Sequence, residues 1–125
     1  TGRLEELVLM REAIRNERSL TVMSLDAVLA DEEATLSTKE AALEEKKAIS
    51  SLTEKEVLLE LQVINSGYRD ALVHATNNGV EVLVISDEDS VSKANEIILM
   101  TLASFDTGYD TVVVNFMSAD ELKNE

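Results

Sequence analysis

Apolar residues recur at helical spacing through the first part of the chain. Leu4, Leu7, Val8, Ile14, Leu25, Val28 and Leu29 share one side of a helix between Arg3 and about Ala30, with no Gly or Pro inside it. Arg11 and Arg18 fall at seam positions between Leu7, Ile14 and Leu25, which argues against a self-sufficient coiled coil. The stretch reads as a stalk, or as a face awaiting a partner. The pattern falters at Asp31, Glu32 and Glu33, and Ser37 with Glu40 three residues on has the form of a capping box. A second, shorter helix is expected from there to about Ile49, ended by Ser50 and Ser51.

Thr53 with Glu56 repeats the capping-box signature ahead of Val57, Leu58, Leu61 and Ile64, which form an apolar helix face. Asn65-Ser66-Gly67 closes that helix. Residues 69–76 and 80–86 then alternate apolar with polar, and the Asn77-Asn78-Gly79 between them suits a tight hairpin, so the two strands should pair antiparallel. Val80, Val82 and Val84 point to the core, leaving Leu83 and Ile85 in need of a cover of their own. A further helix, the fourth, is expected after Asp87-Glu88-Asp89-Ser90, on Val91, Ala94, Ile97, Ile98, Thr101, Leu102 and Phe105, its N-terminus favouring the acids. Gly108 ends it, and residues 109–117 are β-branched or aromatic enough for a third strand. The order is α-β-β-α-β. Each element must bury its apolar side, so the class is α+β, with a three-stranded sheet carrying two helices on one face. The expected organisation is a helical stalk at 1–52, the α-β-β-α-β domain at 53–117 and a frayed tail at 118–125.

Composition narrows the function. The chain has 125 residues, 45% of them apolar, so it can fold, but with two Phe, two Tyr and no Trp its core must come from aliphatic residues. A formal charge of −14 repels phosphate backbones, and no basic stripe with interleaved aromatics is present, which excludes nucleic acid as a partner. The same charge holds copies apart at low salt. The absence of Cys removes disulfides, thiolate nucleophiles and cysteine zinc sites. No apolar run reaches membrane-spanning length, although the sequence starts at Thr1 in mid-pattern, as though an anchoring segment preceded it.

Little catalytic chemistry emerges. His74, the one histidine, shares a strand face with Leu72 and Thr76, and no Ser or acid is tied to it by a recognisable spacing, so a strand histidine is the simpler reading. The rival function is a small enzyme or ligand-binding domain using His74 and nearby carboxylates. Asp87, Glu88 and Asp89 lack the loop glycine and the bidentate Glu of a calcium loop, and the glycines form no phosphate-binding loop. No cofactor or metal is expected. The Val112-Val113-Val114 run could present a strand edge that accepts a neighbouring chain.

The segments Gly67-Tyr68-Arg69-Asp70-Ala71-Leu72-Val73, Ile85-Ser86-Asp87 and Ser90-Val91-Ser92-Lys93-Ala94, with Asp31-Glu32-Glu33-Ala34-Thr35 and Lys39-Glu40 upstream, resemble the stage III sporulation protein AH family of endospore-forming bacteria. The resemblance implies a ring-building module similar to those of type III secretion and flagellar basal-body rings, and no catalytic residue. It further implies the extramembrane part of a protein anchored in the mother-cell membrane around the forespore. That part would reach across the intermembrane space to stage II sporulation protein Q and build a ring or channel, with ring homo-oligomers in the complex. The candidate protein-binding residues are Tyr68, Asp70, Leu72 and His74 in the first strand, and Val112, Val113 and Val114 in the third. The isolated fragment is expected to be a monomer that joins its partner first.

Overall fold

In a computed structural model that describes residues 4–118, the first helix, α1 (Glu5–Ala30), doubles back at residues 31–35 into α2 (Leu36–Asn65). Residues 119–125 of the expected tail, and the expected start of α1 at Arg3, lie outside the described residues. Thr35 is the N-cap of α2, its side chain accepting from the Thr38 N–H at 3.1 Å.

Two expectations for this region change. The helix does not start at Ser37, stop at Ser50-Ser51 or restart at Thr53. It runs unbroken for 30 residues, across the expected boundary at 52/53, and the Thr53 hydroxyl donates to the Ile49 carbonyl at 2.9 Å. Serine and threonine that satisfy their hydroxyls on the preceding turn do not need to break a helix. Nor do Val57, Leu58 and Leu61 face the core, since they are 42%, 61% and 46% exposed. The buried positions are Ala42 in the first half of the helix and Glu56, Leu59, Glu60 and Val63 in the second.

Gly67 (φ +112°) ends the helix, and the chain enters β1 (Asp70–Thr76), turns at Asn77-Asn78, and returns as β2 (Gly79–Ile85). The strands pair antiparallel, with Val73 opposite Val82. Gly79 carries the positive φ of the turn (+136°), and a Cβ there would lie 2.0 Å from the Thr111 carbonyl oxygen. Only glycine fits both conditions.

The third helix, α3 (Val91–Ser104), is capped by the Ser90 side chain, which accepts from the Lys93 N–H at 3.0 Å. It ends before Phe105, earlier than Gly108. A 3-10 turn (Tyr109–Thr111) then leads to β3 (Val112–Met117), shorter at its start than expected and parallel to β2. The sheet order is β1-β2-β3, with β1 and β3 at its edges.

Alternation splits the sheet into two faces. Ala71, Val73, Ala75, Val80, Val82 and Val84 pack under Leu59 and Val63 of α2, Ile97 of α3 and Phe105, so two helices cover one face as expected. On the other face Leu72 and Ile85 are buried by Leu4 and Leu7, joined by Leu83, Ile14 and Met117. The cover that Leu83 and Ile85 require is the start of α1. That helix is thus part of the folded body, packed along both α2 and β1.

Candidate functional site

A sheet with two edges offers two places where a further strand could add. The β1 edge is filled from within. The Glu60 carboxylate accepts from the Val73 N–H at 2.9 Å, and that of Glu56 accepts from the Ala75 N–H at 2.8 Å. From α1, Arg11 donates to the Ala71 carbonyl at 3.1 Å, and Arg18 to the Ala75 carbonyl at 3.2 Å. Each arginine also holds a glutamate: Arg11 reaches Glu60 at 2.8 Å, and Arg18 binds both Glu56 oxygens.

The spacing explains how helix and strand stay in step. Four residues of helix rise about 6 Å. Two residues of strand advance about 6.6 Å. Glutamates four apart on α2 therefore meet alternate amides of β1. Glu56 and Glu60 are each 4% exposed. At that burial a carboxylate needs both a cation and hydrogen-bond donors, and here each has them. The bonds and charge of Glu56 in turn hold Arg18 more firmly in its charged form, raising its pKa against the cost of burial. At the first rung Asp70, fully buried, accepts from the Leu4 N–H at 2.9 Å and from the Ala71 N–H at 2.8 Å.

Sequence reasoning named none of these four ladder residues as functional. Arg11 and Arg18 appeared only as breaks in a seam, and Glu56 as a capping partner of Thr53. The signal was present as two arginines seven apart facing two glutamates four apart.

The candidate binding residues divide. Asp70, Leu72 and Val112 are buried inside the chain, and Tyr68 is half-buried with its ring 6.3 Å from that of Phe116. Val114 is half-buried against the main core. His74 and Val113 belong to the outer face, where His74 lies opposite Glu81, and Glu81 opposite Val113, in the strand registers. Val113 is 48% exposed. Among the described residues β3 has a strand neighbour on one side only, β2.

Chemistry around His74 is sparse. One groove beside it is lined by Met10, Ile14, Leu72, Leu83, Asn115 and a single acid, Glu81. Among the described residues no group of three His, Cys, Asp or Glu forms a metal site, and no helix is long and apolar enough to cross a membrane.

Comparison with known proteins agrees with this architecture. Stage III sporulation protein AH of Bacillus subtilis (strain 168) is 32% identical over 100 residues, covering 80% of this chain. The chain spans 46% of that relative's length. A chain of the solved SpoIIQ-SpoIIIAH pore forming complex superposes with a TM-score of 0.80 at 27% identity, covering 93% of this chain and 100% of that one. The family model described as SpoIIIAH-like protein matches residues 5–114, and the chain belongs to that family.

Proposed function

We propose that this chain is a non-enzymatic assembly module of endospore formation, which joins a SpoIIQ-type protein across the space between mother cell and forespore and helps build a ring or channel there. In this reading it is the extramembrane part of a protein anchored in the mother-cell membrane. The solved complex of its structural relative with SpoIIQ supports the partner class. The observation that carries the mode of joining is the asymmetry of the sheet: the β1 edge is filled by side chains of the same chain, whereas among the described residues β3 has a strand on one side only. A parallel edge with an exposed Val113 suits sheet extension or packing by a neighbouring polypeptide. His74, Glu81 and Val113 would form the outer-face part of that contact, and Val114 its edge. Asp70 and Leu72 act indirectly, by seating α1.

The experiment is sedimentation of the chain with and without the extracytoplasmic domain of the SpoIIQ-type protein from the same organism. The expected result is a monomer alone and a stable complex when mixed. Val113→Asp, and proline placed in turn at Val113, Val114 and Asn115, should each fold, and the aspartate and at least one proline should weaken the complex tenfold or more. Folded variants that all bind as the wild type does would remove β3 from the interface. For the enzyme reading, His74→Ala with unchanged partner binding and unchanged spore formation leaves nothing to support it.

A further inference from the structure

We propose that the Arg11–Glu60 and Arg18–Glu56 ladder is a guard that closes the β1 edge against strand addition, so that sheets of this chain can be extended from β3 alone. The excluded partner is an extended strand, above all one from a second copy. An incoming strand binds through the outward N–H and C=O groups of the strand it joins, in alternation. The ladder occupies four of those groups on β1: the amides of Val73 and Ala75 and the carbonyls of Ala71 and Ala75.

Two features distinguish a guard from ordinary salt bridging. Both glutamates take part in two kinds of contact at once, a guanidinium and a strand amide, so neither half can be displaced without leaving a buried charge unpaired. Hydrophobic residues at 56 and 60 would cover the core equally well, as Leu59 and Val63 do beside them, but could not satisfy the amides. Natural sheets commonly protect an edge with inward-pointing charge, and here the charge is supplied by two helices rather than by the strand. A guard on one edge gives the subunit a direction. Head-to-tail assembly that can grow from one sheet edge stops at the next closed edge and cannot run on into a continuous sheet. This role rests on the β3 reading above; the closed edge itself does not.

The test opens the edge. Arg11→Ala, Arg18→Ala, Glu56→Ala and Glu60→Ala are combined, with the half-ladder variant Arg18→Ala/Glu56→Ala beside it, and both are checked for a native circular dichroism spectrum. In sedimentation velocity at physiological salt, the wild type should keep its mass as concentration rises. A folded opened variant should reach at least double that mass, and adding Val73→Pro, which removes an outward donor, should restore the monomer. A folded variant that stays monomeric, or one whose association survives Val73→Pro, overturns the proposal. Hydrogen exchange on the wild type gives an answer even if both variants unfold. The Val73 and Ala75 amides should exchange no faster than those of central β2, and fast exchange there overturns the guard. No partner protein enters any arm, so failure here leaves the β3 reading untouched, and loss of the β3 reading leaves the guard standing.

Discussion

Glu56 and Glu60 occupy positions on α2 where the neighbouring Leu59 and Val63 are wholly buried, and they are tolerated because each carboxylate oxygen has a donor within reach. Removing one member of such a pair strands the other. Glu56→Ala or Glu60→Ala should each lower the unfolding free energy by about 3 kcal/mol, read from the urea midpoint. The double change Arg18→Met/Glu56→Met should recover only part of that loss, because it removes the buried charges but leaves the Ala75 amide without its acceptor. Single variants within about 0.5 kcal/mol of wild type would show the ladder to be energetically idle. The exposed Glu88–Lys93 pair behaves differently. The Lys93 ammonium, bonded at 2.6 Å, holds the Glu88 carboxyl below its ordinary pKa. A depressed carboxylate contributes stability above its unfolded pKa and loses it as pH falls through the folded one. Lys93→Met should therefore move the Glu88 titration, followed by NMR, upward toward an ordinary glutamate, with little change in overall stability because solvent screens the pair.

At the scale of elements, the hairpin, the inward valines of β2, the Ser90 cap and the three strands were legible in the sequence, because each rests on local chemistry, whereas the two helices expected at 37–49 and 53–65 are one. The face and extent of α2 were not. Its apolar periodicity points to Val57, Leu58 and Leu61, and the buried side carries two glutamates whose partners lie 13 to 49 residues away along the chain. A pattern that counts acids as solvent-facing must choose the wrong side of such a helix. The role of α1 was hidden for the same reason, since its seam arginines make sense only beside β1. It follows that α1 is not a dispensable stalk. A chain lacking residues 1–30 loses the cover over Leu72 and Ile85 and both guanidiniums, a deficit of several kcal/mol in a domain of marginal stability. Its thermal transition, followed by circular dichroism, should be lost or displaced downward by many degrees. A cooperative transition at the wild-type temperature would contradict the packing described for α1. Deletion of residues 1–50, which also cuts α2, should be more damaging still.

For the whole molecule, the net charge of −14 and the one-sided sheet act together. Copies repel at long range when salt is low, and the Debye length shortens to about 8 Å at physiological ionic strength. The chain alone should sediment as a monomer at low salt, and whatever weak self-association it shows should rise with salt. A stable oligomer at low salt would mean that contact energy overrides the repulsion. The partner class proposed above came from the resemblance, since composition could only narrow it to something other than nucleic acid. The asymmetry between the two sheet edges needed coordinates, because a strand reads the same in sequence whether or not another helix seals its flank.

The bond from the Leu4 amide to Asp70, followed along α1 by Arg11 on Ala71 and Arg18 on Ala75, bears on how the molecule would carry tension. These fastenings are arranged lengthwise, with α1 and β1 running in the same direction. A pull along the helix axis would load them simultaneously in shear, so the helix should hold to a high force and then detach in one event. A pull at right angles would peel them singly at much lower force.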